Sequence, residues 1–507
     1  MDQKPDHRKL QRQCSSNVES MRRRWRDERS DLRKEQRDKI LLSKRVRHQS
    51  YELNNDDDEF TELQIKEMTK QLLHTSPSSE KKEILKVLRK AFGRGTLYID
   101  AFLSVPNSME CMVGILTGLD TELHLESAWC LTNISAGMHE HAKITLKMAA
   151  PYLITYLSGS NPVMQDQCAW ALGNIAGDSE ECRDVLKHQG IIPPLVELLK
   201  SPSPTVVKSA LFAISNMARG HDPSIKEMLN IGVATLVLNL MEFKEDMLPV
   251  IAEVAWVLTY LTASGDYEEE LVSQGIIPKI SNMIAQIAVH NHDDVQAITP
   301  LLRALGNLCS GADRYSVDAS QTDGLLPALS KFLQSNHRHI RKECLWTMSN
   351  MTGEMNVARE IIRTGAVPHF VNLLSAAYDI KKEAAYCICN LVCHGDEFCQ
   401  FISHSDAIVS MIPLLKVSGN DVELIHLALC FYEAMFRAVD ETKHRFEESG
   451  GVGYLEGLEY HANDTIRSQA NDLLDKHFWI DDEREEDDDT LEDVLTAKPM
   501  VTSGPAE

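Results

Sequence analysis

An aromatic residue followed four positions later by asparagine recurs along the chain. It appears as Trp129/Asn133, Trp170/Asn174, Phe212/Asn216, Trp346/Asn350 and Tyr386/Asn390. Trp256/Tyr260 and Arg303/Asn307 keep the phase with one member changed. Successive second members stand 40 to 47 residues apart. A second motif shares this rhythm: Gly190-Ile-Ile-Pro193, Gly275-Ile-Ile-Pro278, Gly324-Leu-Leu-Pro327 and Gly365-Ala-Val-Pro368. The glycine ends one helix, and the proline sits in the first turn of the next, where its missing N–H does little harm. Self-similarity at this period constrains the fold more than any other feature. Each repeat is one helical unit that buries its apolar face only against its neighbours.

A period of about 40–47 residues is that of helical repeats of the armadillo type. Strand signals are sparse, and apolar residues fall at helical spacing, as in Leu195, Leu198 and Leu199. The expected fold class is all-α, an armadillo-repeat right-handed superhelical solenoid with a basic N-terminal arm and a disordered acidic tail. Weaker repeats are expected around residues 80–118 and over Leu427–Phe436, where Ala434 takes the asparagine phase. A capping unit is expected at about Gly450–Trp479. The domain reading is a basic arm over 1–50, a flexible linker over 51–75, an array of about ten repeats over 76–480, and an acidic tail over 481–507.

Charge is distributed unevenly. The chain carries 52 Lys+Arg and 75 Asp+Glu, a formal net charge of −23. Its first 50 residues hold 16 basic and 8 acidic residues. A basic arm is thus joined to an acidic body, which attracts cationic partners and repels nucleic acid. No apolar run reaches the roughly 18–20 residues of a membrane span, and Met1 opens a polar, charged stretch without a secretory signal. A cytoplasmic or nuclear setting is expected. The 12 cysteines read as buried reduced thiols, and the cluster Cys387, Cys389, Cys393 and His394 matches no zinc spacing. Neither a P-loop nor a Gly-Xaa-Ser-Xaa-Gly motif is present. No enzyme, cofactor or metal is expected.

Residues i and i+4 share a helix face, so each aromatic and its asparagine point together. Stacked repeats would align these pairs in a ladder. An asparagine can bond both the N–H and the C=O of one residue in an extended peptide. Aromatic slots between steps would take the stems of Lys or Arg and attract their charge, worth about 0.5–2 kcal/mol. The ladder's candidate carboxylates are Asp178, Asp313, Glu253, Glu343 and Glu383. Solenoid packing alone gives no evident reason for asparagine at one phase so often. The pattern reads as a receptor for an extended, Lys/Arg-rich peptide.

At these residues the chain resembles importin α, the adaptor for nuclear localisation signals. Glu126-Ser-Ala-Trp-Cys-Leu-Thr-Asn-Ile134 and Gln167-Cys-Ala-Trp-Ala-Leu-Gly-Asn-Ile-Ala-Gly-Asp178 look like its ladder segments, as does Lys342-Glu-Cys-Leu-Trp-Thr-Met-Ser-Asn350. The resemblance implies a major peptide site at Trp129, Asn133, Gly137, Trp170, Asn174, Asp178, Phe212, Asn216, Glu253 and Trp256. Asp178 and the carbonyl of Gly137 would hold the key lysine. A minor site would use Arg303, Asn307, Asp313, Glu343, Trp346, Asn350, Glu383, Tyr386 and Asn390, with Arg303 breaking the ladder between the two.

The arm resembles an importin-β-binding domain through Arg22, Arg23, Arg24, Trp25, Arg26, Leu32, Arg33 and Lys34. Lys44, Arg45 and Arg47 sit where the family has an autoinhibitory basic cluster. The tail resembles the region used with a nuclear export receptor. The implied partners are basic signal peptides, importin β and that receptor, without direct nucleic-acid contact or membrane insertion. The implied location is cytoplasm and nucleus, with shuttling through pores. Phe212 and Tyr386 stand in place of tryptophans, Ala142 in place of a threonine, and Val46 interrupts the basic cluster. An armadillo scaffold of the catenin type is the alternative; it would bind acidic partners on a basic groove.

Overall fold

The computed structural model describes residues 45–46, 60–74, 77–220, 224–263, 265–417 and 421–479. All regular elements among the described residues are helical. The chain divides into two compact units, Met1–His369 and Phe370–Glu507.

The ladder helices are labelled here in chain order. In the first unit they are α1 (Ser78–Arg94), α2 (Thr121–Ser135), α3 (Pro162–Asp178), α4 (Pro204–Met217), α5 (Leu248–Leu261), α6 (Val295–Cys309) and α7 (Arg338–Met351). Each packs on the next. The second unit holds α8 (Tyr378–Val392) and α9 (Val422–Ala438), which pack together, and α9 packs on the helix Asp464–His477. These form an all-α armadillo array within each unit.

Local chemistry starts the helices. Asp120, Asn161 and Asp294 cap α2, α3 and α6 by accepting from backbone N–H groups two or three residues on. Pro162 and Pro204 open α3 and α4, where an N–H has no helical partner. Glycines end the preceding helices. Gly190 has φ +76° and Gly324 φ +82°, and Gly275 and Gly365 share this left-handed conformation. Middle ladder helices are buried nearly all round, because each lies between two neighbours. In α3 only Gln165, Trp170 and Asp178 escape burial beyond the first two residues.

One boundary departs from the sequence reading. The linker expected over 51–75 contains a helix, Glu62–His74, with Ile65 and Leu72 buried. Tyr98 donates to the carbonyl of Phe60 at 3.1 Å. The acidic run before it, Asn54 to Glu59, hides a short amphipathic segment whose apolar face packs on the helices Ser78–Arg94 and Thr96–Leu103. The expected tail over 481–507 lies outside the described residues. Among the described residues no single helix is long and apolar enough to cross a membrane.

Candidate functional site

The ladder asparagines are wedged between consecutive ladder helices. Asn133 Nδ2 donates to the carbonyl of Arg89 at 3.1 Å, Asn174 to Thr132 at 3.2 Å, and Asn216 to Gly173 at 2.9 Å. Asn307 donates to Thr259 at 3.1 Å, and Asn350 to Gly306 at 2.9 Å. Each acceptor belongs to the preceding ladder helix, one residue before that helix's own asparagine phase. The view that packing has no use for these asparagines is therefore corrected. Half of each amide ties one repeat to the backbone of the one before, where an unpaired carbonyl would be costly.

The same preceding position also seats the next aromatic ring. A Cβ built on Gly173 would lie 2.6 Å from Phe212, and one on Gly306 would lie 2.3 Å from Trp346. At the corresponding position in α1 stands Arg89. Its guanidinium carbon lies 4.1 Å from the Trp129 ring centroid, and Nη1 lies 3.6 Å from Glu126 Oε2. Sequence reading missed Arg89, Gly173 and Gly306. The signal was available as a mostly small residue just before each asparagine.

A residue of the N-terminal arm lies on the middle of the ladder. Arg45 N donates to Asn174 Oδ1 at 3.0 Å. Its carbonyl accepts from Asn174 Nδ2 at 3.2 Å and from Trp170 Nε1 at 2.7 Å. One side-chain amide thus brackets both backbone polar groups of one residue. The Arg45 guanidinium lies 4.4 Å from the Phe212 ring centroid, and Nη1 donates to Glu253 Oε1. Phe212 and Trp170 are 5.7 Å apart, centroid to centroid, at 45°. Four of the expected major-site positions, Trp170, Asn174, Phe212 and Glu253, are so assembled around Arg45.

Asp178 ends α3; the residue is half-buried as a whole but its side chain is turned in, and Oδ2 meets the ring Nδ1 of His139. Cys182 Sγ lies 3.7 Å from the same oxygen. His139 stands two residues after Gly137, so Asp178 and the Gly137 turn share one locality; the sequence reading did not single it out. Gly137 has no room for a side chain, because a Cβ would lie 2.4 Å from His141 Nδ1. Ala142, at the noted threonine phase, is fully buried.

The minor-site positions of the first unit are arranged differently. Arg303 and Glu343 pair with each other: Nε donates to Oε2 at 3.1 Å and Nη2 to Oε1 at 2.6 Å. The expectation that Glu343 stands ready for a ligand's cation is corrected, since this fork already spans both its oxygens. Burial opposes the charge on Arg303, but Glu343 outweighs it and raises the pKa above the ordinary arginine value. Arg303 also faces Trp256, with 5.7 Å from guanidinium carbon to ring centroid. Asp313 opens the helix Asp313–Ser320 and is exposed. In the second unit Glu383 and Asn390 are buried on α8. Tyr386, on the same helix, has no exposed surface.

Arg22, Arg23, Arg24, Trp25, Arg26, Leu32, Arg33, Lys34, Lys44 and Arg47 lie outside the described residues.

A family model described as TMCO6 matches residues 66–477. The curated relatives include importin subunit alpha-9 of Arabidopsis thaliana, 31% identical over 399 residues, 75% of each chain. Importin subunit alpha-2 of Oryza sativa subsp. japonica is 31% identical over 384 residues, 72% of this chain and 71% of its own. The chain belongs to the TMCO6 family and, through these relatives, to the importin α family. Importin subunit alpha-5 of Arabidopsis thaliana extends the likeness at 26% identity over 500 residues, 95% of this chain and 94% of its own. The match to this importin α member therefore runs well beyond the ladder helices. The crystal structure of an engineered protein shares the fold with a TM-score of 0.71 at 24% identity, covering 82% of this chain and 98% of that one.

Proposed function

We propose that this importin α relative is a nuclear-import adaptor that holds Lys/Arg-rich localisation signals on its asparagine–aromatic ladder. The single observation that carries the reading is the seating of Arg45. An arginine backbone bracketed by Asn174, with its guanidinium between Phe212 and Glu253, is how a cationic extended peptide would lie. The occupant comes from the chain's own basic arm, which supports a second element of the proposal. Residues 1–50 compete with cargo for the groove and, when withdrawn, link the complex to importin β. Asp178 is the proposed receiver of the signal's key lysine, with His139 as the group that lysine would displace. The acidic segment 481–507 is the proposed contact for an export receptor. Shuttling between cytoplasm and nucleus follows from these roles, and no catalytic step belongs to them.

Fluorescence anisotropy with a labelled Lys-Lys-Lys-Arg-Lys-type peptide tests the reading. Deleting residues 1–50 is expected to tighten binding at least tenfold, and Asp178→Lys in that background to weaken it at least a hundredfold. Binding of acidic peptides in preference to basic ones would reject the adaptor reading in favour of a catenin-type scaffold.

A further inference from the structure

The slot that holds Arg45 has a chemistry of its own. Its floor is the face of Phe212, which offers no hydrogen-bond acceptor. Its end is Glu253, only 4% exposed on α5. Arg45 Nη1 engages Oε1, while the buried Oε2 of Glu253 has no hydrogen-bond partner among the described residues. The carboxylate thus meets the guanidinium through one oxygen, at the end of a largely buried slot.

We infer that the slot between Phe212 and Glu253 selects arginine over lysine, so the ligands of this groove are extended peptides with an arginine at the residue Asn174 brackets. A guanidinium is planar, weakly hydrated and carries donors in a rigid fork. It stacks flat on the Phe212 ring while one donor of its fork meets Glu253 Oε1. An ammonium is compact and strongly hydrated. In this slot it would give up more water than a guanidinium and would have no planar face to lay on the Phe212 ring. On the face where the guanidinium lies, position 212 offers a phenyl ring and not the wider, more electron-rich indole that attracts an ammonium best. The neighbouring ladder carboxylate Glu343 is spanned by Arg303, and Glu126 is paired with Arg89. Both internal pairs also use guanidinium beside an aromatic ring, Trp256 and Trp129 respectively.

The inference rests on the groove being a receptor for basic peptides. Its test uses the full chain carrying Arg45→Ala, so that its own arginine does not fill the slot. The probes are fluorescein-labelled peptides of residues 41–50: native, Arg45→Lys and Arg47→Lys. The native peptide is expected to bind at least tenfold more tightly than the Arg45→Lys peptide, and Arg47→Lys is expected to change affinity less than threefold. Glu253→Gln in the receptor is expected to shrink the first ratio below threefold. Native and Arg45→Lys peptides binding within threefold of each other would overturn the selectivity while leaving the groove reading in place. An equal loss from either lysine substitution would do the same. Failure of every peptide to bind at 100-fold molar excess of receptor would overturn both.

Discussion

At the scale of single residues, one ladder position can both tie two repeats together and hold a residue of the N-terminal arm. Asn174 shows this most fully: Nδ2 reaches Thr132 in the preceding helix and Arg45 on the ladder, while Oδ1 accepts from Arg45. The residue just before each asparagine matters as much, because the next aromatic ring lies over it. Gly306→Val would drive a branched side chain into Trp346, where even a Cβ comes within 2.3 Å. Overpacking of this kind destabilises by about 1–3 kcal/mol, so calorimetry should record a lowered Tm. Gly114, in the helix Ser108–Leu116, has nothing within 4 Å of a built Cβ. Gly114→Ala should raise stability by about 0.5–1 kcal/mol, since it removes only the conformational freedom of glycine in a helix. The two glycines look alike in the sequence. Only the approach of a ring from a helix 40 residues on separates them.

Among the elements, α3 contributes most to the proposed site. It supplies Trp170 and Asn174 to the arm residue and Asp178 to His139. Its start depends on one cap. Asn161 Oδ1 accepts from Val163 N at 3.0 Å and from Met164 N at 3.3 Å. Replacing that cap, Asn161→Ala, should cost about 1 kcal/mol. Hydrogen exchange should quicken in the first turn of α3 before it does in α4, which starts from Ser203 without a side-chain cap bond. The i,i+4 pairs of these helices are legible in sequence because helix geometry fixes which residues share a face. The partnerships across helices are not. Arg303 with Glu343 and Arg89 with Trp129 join residues about 40 positions apart, and no local rule states which carboxylate meets which cation. The helix Glu62–His74 was missed because the acidic stretch beside it dominated the local composition.

Across the whole molecule, thiols are buried in repeat after repeat. Burial pushes the pKa of Cys130, Cys168, Cys344 and Cys389 up, and that of Cys309 to about 12. An unfolded chain would ionise them near pH 8.5. Between that value and the raised folded values, the unfolded state binds fewer protons than the folded one, so stability falls as pH rises. Below about pH 8 both states keep the thiols neutral and this dependence vanishes. Tm measured by calorimetry should therefore drop between pH 8 and pH 9.5, with each thiol contributing up to about 1.4 kcal/mol per pH unit. Cys168→Ala combined with Cys344→Ala should flatten that decline, and an unchanged slope would show that other groups drive it.

The sequence by itself determined the period, the helical class, the turn glycines and the shared face of each aromatic–asparagine pair. These follow from short-range geometry, since 3.6 residues per turn and a left-handed φ at glycine act within a few residues of the chain. Tertiary structure decided which charges pair between ladder helices and which meets the N-terminal arm. Glu343 is taken by Arg303, Glu253 meets Arg45, and Tyr386 is buried. The physical reason is that charge pairing and burial depend on the separation between helices packed from distant parts of the chain.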